Sequence, residues 1–164
     1  MDETLVLSGA ATLLIDDNPV GFTRDGVRIT PTLATRDIEA DQAFSPILIR
    51  YTSRGIEVST SLLEITLENM RQMWNEEAEV DGGPPGTSLV LGKISKTPRR
   101  LKLVFYGERE DGKFVKFTVP KCTAVTLGEA PFVKDGEFLL TATFRALHDT
   151  DLDGFAKAEI VEAP

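Results

Sequence analysis

The residues of this 164-residue chain best placed to do chemistry lie in "HDTDLDG", positions 148–154. Asp149, Asp151 and Asp153 followed by Gly154 repeat the opening of a calcium loop. Carboxylates at alternate positions can converge on a hard cation when a glycine permits the sharp turn. The pattern then fails: the closing bidentate Glu belongs at the position of Ile160, and Glu159 comes one residue early. Strand-like rather than helical segments flank it, so it reads as an Asp/Gly turn, and no metal is expected. His148 is the only histidine, which leaves a histidine metal site without partners. No G-x-S-x-G, H-E-x-x-H, P-loop or G-x-G-x-x-G occurs. Ser-His-Asp chemistry depends on three-dimensional geometry and stays open at this point. Adjacent acids, Asp16-Asp17 and Glu76-Glu77, read as solvated turn residues. The residues therefore favour no catalysis and no cofactor.

Bulk properties narrow the function classes further. The length suits one domain over residues 1–164, and 41% apolar residues exclude a disordered composition. A formal charge of -8 argues against ordinary DNA binding, because affinity for phosphates comes from Lys and Arg displacing counterions. Cys122 is the only cysteine and cannot form an internal disulfide. The opening "MDETLVLSG" carries acids where a signal peptide needs basic residues. No apolar run approaches the roughly 18 residues that a spanning helix requires. A soluble protein made in the cytoplasm is expected, with no membrane binding.

Period-two alternation recurs along the chain. Leu101, Leu103 and Phe105 alternate with their neighbours, "GEREDGK" turns at Asp111-Gly112, and residues 114–119 return. Pro120 breaks the ladder, and residues 121–127 resume it. Phe138, Leu140, Ala142 and Phe144 share one side of a long strand. Residues 45–63 read as two strands around a turn at Ser53-Arg54-Gly55, and residues 4–15 and 27–35 are also extended. About eight strands favour a mainly β sandwich or barrel. Within this, Ser61–Asn75 reads as a helix: Leu63, Leu67, Met70 and Trp74 share one face, and Ser61 with Glu64 has capping-box spacing. Glu76, Glu77 and "DGGPPG" stop it. The polar side lacks the basic bias of membrane-surface helices, so the stripe is expected to pack on a sheet. Residues 77–87 read as a loop.

The order of these features resembles the major tail tube proteins of tailed bacteriophages and the related inner-tube subunits of contractile injection systems. The residues that carry the resemblance are "EADQ", Glu39–Gln42, and "LLEITLENM", Leu62–Met70, at a strand-to-helix junction. The resemblance runs in order over nearly the whole chain, through loose patterns of residue type. It implies two packed antiparallel sheets flanked by one helix. It also implies a structural virion protein: hexameric rings stacked into a tube that conducts DNA into the host, assembled in the host cytoplasm. Tape measure, tail tip or baseplate, and tail terminator proteins would be its other partners. The loop of residues 36–46 would reach the adjacent ring through Ile38, Glu39, Asp41, Gln42 and Phe44, with residues 77–87 as the alternative bridge. Arg50, Arg54, Arg99 and Arg100 would be possible partners for its acids. An acidic lumen would repel phosphates, so DNA would pass without specific binding. Two other readings stand beside this one. The first is the inner tube of a contractile injection system, and the second is a monomeric β-sandwich ligand-binding module.

Overall fold

The computed structural model describes residues 12–38, 47–64, 66–74, 98–109, 111–128 and 139–162. Among them the chain forms eight strands and one helix. These are β1 (Thr12–Ile15), β2 (Asn18–Pro19), β3 (Thr23–Ile38), β4 (Leu48–Leu62), α1 (Leu67–Met73), β5 (Leu101–Glu108), β6 (Phe114–Leu127), β7 (Leu140–Ala146) and β8 (Lys157–Val161). The mainly β architecture with a single helix is the expected one.

The expected two sheets are instead two wings of one antiparallel sheet, ordered β2-β1-β5-β6-β7-β4-β3, with β8 on β6. The cause is the length of β6. Its first part, Phe114–Thr118, pairs with both β5 and β8, and its second, Cys122–Leu127, pairs with β7. Two irregularities let it bend between these duties. Pro120 and Lys121 lie opposite the single residue Lys102, so the residue without an N–H sits in a bulge. A second register shift falls between Ala124 and Thr126. A strand that changes neighbours through bulges is how a sheet turns a corner.

Alternation builds the core between the wings. Leu13 and Ile15 of β1, Leu101, Leu103 and Phe105 of β5, Val58 and Leu62 of β4, and Leu140, Ala142 and Phe144 of β7 belong to one buried cluster. The turn at Asp111-Gly112 forms as expected: Gly112 has φ 77°, and the Arg109 N–H donates to the Lys113 carbonyl at 2.9 Å. Asp16 and Asp17 both have positive φ, as a tight turn between β1 and β2 demands. Asp16 is not merely solvated. Its carboxylate accepts from the Lys102 N–H at 2.9 Å and from Arg99 at 3.0 Å, tying that turn to β5.

The helix differs most from expectation. It begins at Leu67, with the Thr66 hydroxyl as its N-cap accepting from the Asn69 N–H at 3.0 Å. Ser61 caps nothing: it lies in β4, within 3.0 Å of the Thr141 hydroxyl. Val58, Thr60 and Leu62 continue the strand's inward alternation and pair with β7, so extension wins up to Leu62. Leu63 is therefore off the helix and 40% exposed. The buried face of α1 is Asn69, Gln72 and Met73, with Met70 and Trp74 half-buried against the core and Leu67 half-buried. Asn69 fastens the helix by donating at 3.0 Å to the carbonyls of Val20 and Glu64. Residue 75 lies outside the described residues. Among those described, no helix is long and apolar enough to cross a membrane.

A projecting arm as candidate assembly surface

The residues expected to do chemistry are committed to structure. One Asp149 carboxylate oxygen accepts from the N–H groups of Asp151 (2.8 Å) and Leu152 (3.2 Å). The other meets Lys121 at 2.9 Å. The Lys121 ammonium and these backbone donors hold the Asp149 carboxyl below its ordinary range. Asp149 thus organises its own turn, and among the described residues no group of three His, Cys, Asp or Glu side chains could hold a metal ion. His148 lies 3.5 Å from Asp153 and edge-on to Phe155. Cys122 is buried, its thiol donates to the Leu101 carbonyl at 3.2 Å, and burial pushes its pKa up to about 12. Such a thiol is inert as a nucleophile.

The feature that has no internal explanation is the hairpin of β3 and β4. They pair from Thr23 with Leu62 out to Ile38 with Leu48. β7 supports β4 only over Glu57–Leu62. Beyond Ile56 the two strands have only each other among the described residues, an arm about 25 Å long at ordinary strand rise. Every residue of β3 from Thr32 to Asp37 and of β4 from Leu48 to Arg54 is exposed. The expected turn at Ser53–Gly55 is absent, and β4 runs straight through it. Gly55 has a packing role there: a Cβ would lie 2.8 Å from the Thr32 hydroxyl oxygen.

Register assigns the arm two unlike faces. One continues the core outward through the cross-strand pairs Ile29–Val58, Pro31–Ile56, Leu33–Arg54, Thr35–Tyr51 and Asp37–Ile49. On it Leu33 is 54%, Ile49 60% and Tyr51 73% exposed. A bulge makes this possible: Ala34 pairs with Ser53 and Thr35 with Tyr51, leaving Thr52 without a partner. Beneath the root of this face a groove of about 500 Å³ opens between Leu33, Arg54 and Ile56 on one side and His148 and Phe155 on the other. The opposite face carries Arg28, Thr30, Thr32, Arg36 and Arg50, with Ser53 and Ser59.

Among the residues expected to bridge rings, Ile38 is the last residue of β3, paired with Leu48, and Arg36 lies within the strand rather than in a loop. Ile47 N–H donates to the Ile38 carbonyl at 2.9 Å, closing the arm. Glu39, Asp41, Gln42 and Phe44 lie outside the described residues, as does the alternative loop of residues 77–87. Sequence reasoning missed Leu33, Ile49 and Tyr51. Their signal was length: strands of 15 and 16 residues outrun the usual 5–6 and the body that could cover them.

No family model matches the chain, and no curated protein matches it. Among solved structures, the chain is similar to the sheath/tube terminator of PVC, an extracellular contractile injection system, in its extended state. The TM-score is 0.53 at 8% identity, covering 98% of this chain and 99% of that one. It is also similar to the anti-feeding prophage cap, the AFP tube terminating cap, at TM-score 0.47 and 12% identity, covering 96% and 95%. At such identities the first likeness concerns the fold, and it extends over both chains: this protein has the fold of an injection-system tube terminator.

Proposed function

We propose that this chain is a structural subunit of a tail-like tube, which assembles by adding the β3–β4 arm to neighbouring copies in a ring. The arm carries the proposal. A two-stranded ribbon exposed on both faces is marginal in water, and free strand edges invite pairing with another chain. Exposed Leu33, Ile49 and Tyr51 extend the core face into solvent, where no described residue of the chain covers them and a second molecule could. In a closed ring each arm would lie against the next subunit, so every edge gains a partner. The role is architectural, with other tail proteins as partners and the tail as its location.

Two positions in such a tube are open to this subunit. A repeating tube subunit would stack sixfold rings into a conduit for DNA. A tube-end subunit would form one ring and stop. Full-length likeness in fold to a sheath/tube terminator favours the second. Electron microscopy of the concentrated full-length protein separates them: isolated rings are expected for an end piece, and stacked tubes for a repeating one. A chain that stays monomeric at all concentrations, alone and with tail tubes, overturns both and restores the monomeric ligand-binding module.

A further inference from the structure

The face of the arm opposite the apolar strip belongs to a larger surface. Across β4 and β7 it continues through the pairs Glu57–Arg145, Ser59–Thr143 and Ser61–Thr141, and onto β6 through Thr123 and Thr126. From Arg28 outward its charges are Arg28, Arg36, Arg50 and Arg145 against one acid, Glu57. Glu57 is taken, since it binds Arg145 at 2.7 Å. Arg28, Arg36 and Arg50 make no ion pair among the described residues and are exposed. Arg36 and Arg50 stand directly opposite each other, an arrangement that like charges oppose and that a bound anion would relieve. They line a recess of about 380 Å³ with Ile38 and with Asp37, the one acid among its lining residues, which the register places on the opposite face. Between Arg28 and the Arg36–Arg50 pair lie the short hydroxyl side chains of Thr30, Thr32 and Ser53, and Ser59 and Thr143 lie beside Arg28.

We infer that this face binds the phosphate backbone of nucleic acid without reading its sequence. Arginine forks and Ser/Thr hydroxyls are the side chains that contact phosphate oxygens and position a protein on a duplex. The charges are strung along the strand: Arg28 and Arg36 are about 26 Å apart at ordinary strand rise. An extended polyanion matches such a row better than a compact acidic patch does. Between Arg28 and the Arg36–Arg50 pair the face offers no aromatic or large aliphatic side chain, and Ile38 with Leu48 follows only at its outer end, too little for the central apolar contact of a protein partner. The absence of aromatic side chains also removes base stacking, leaving the backbone as what is bound. The overall charge of -8 does not decide the matter, because binding responds to the local row of arginines. This inference stands independently of ring assembly.

Fluorescence anisotropy of a labelled, random-sequence 30-base-pair duplex with the full-length protein tests it. Three phosphate contacts predict weak binding at low salt, with a slope of log K against log salt of about −2.7. Affinity should then fall roughly 40-fold between 50 and 200 mM salt. The triple variant Arg28→Gln, Arg36→Gln, Arg50→Gln should lose the binding and keep the wild-type circular dichroism. A control with the same charge change away from the face, Arg100→Gln, Lys113→Gln, Lys116→Gln, should retain most of it. No binding at 25 mM salt overturns the inference, as does equal loss in both triples. Polyglutamate competing as well as the duplex overturns it in favour of an acidic protein surface.

Discussion

β3 and β4 live under two regimes within one hairpin. Near the body, Val58 and Leu62 of β4 are fully buried in the core cluster that they share with residues of β5, β7 and the helix. Farther out, the same face presents Leu33, Tyr51 and Ile49 to water. Backbone, alternation and residue types barely change along the way. What changes is the coverage, since the pairing of β7 with β4 stops at Arg145 opposite Glu57. A side chain's class therefore shows which face it shares, and only tertiary pairing shows whether that face is closed within the chain or left for another one.

Truncation at matched sites should separate the two regimes most sharply. Phe144→Ala removes a fully buried ring from the body and should cost about 3–5 kcal/mol in chemical denaturation, with no need of assembly to reveal it. A loss below about 1 kcal/mol would mean that the shared core is not what holds the wings together. In the arm, Tyr51→Ala with Ile49→Ala should leave the stability of the isolated chain within about 0.5 kcal/mol, as for exposed sites generally. The same pair should weaken each subunit contact by on the order of 2 kcal/mol. Light scattering during size exclusion should then show monomer under conditions in which the unaltered chain is expected to form rings. Unchanged assembly would assign the apolar strip no part in it.

A smaller effect is expected at the turn facing the root of the arm. The Asp149 carboxyl is held below its ordinary range by Lys121 and two backbone donors. Its contribution is thus fully present above the ordinary aspartate pKa and is lost as pH falls through the lowered native value. Melting temperatures followed from neutral pH down past that range should drop more steeply for the unaltered chain than for Asp149→Asn. Parallel curves would show that the Lys121 pair contributes nothing.

The local parts of this fold were legible in the sequence. Alternation in residues 140–144 marks β7, and Asp111-Gly112 marks the β5–β6 hairpin, because both signals are written in adjacent residues. The helix start was misread because Ser61 to Leu63 belong both to the strand run of residues 45–63 and to the start of the helical stripe, and pairing of Ser61 and Leu62 with β7 decides for the strand. Gly55 suggested a turn, yet its reason is Thr32, 23 positions earlier in the chain and directly across the ladder. The single sheet was hidden because β6 serves both wings, a nonlocal fact. For the candidate site, alternation exposed two faces, but net charge pointed away from the arginine row. A sum over the chain says nothing of where the charges gather.

The unpartnered Thr52 governs the sidedness of the arm. Counting strictly by twos outward from Val58 and Ile56 would bring Thr52, Arg50 and Leu48 to the inner side and send Tyr51 and Ile49 to the outer. The observed pairing of Thr35 with Tyr51 does the reverse. One supernumerary residue thus works as a phase shifter, putting Tyr51 and Ile49 on the side of Leu33 and Arg50 on the side of Arg36. Deleting Thr52 would remove the bulge and keep both faces, because alternation from Arg54 through Ser53 would then bring Tyr51 and Ile49 to the inner side without it. An arm that kept every residue but drew Thr52 into the regular ladder would present arginine on the side that now carries tyrosine.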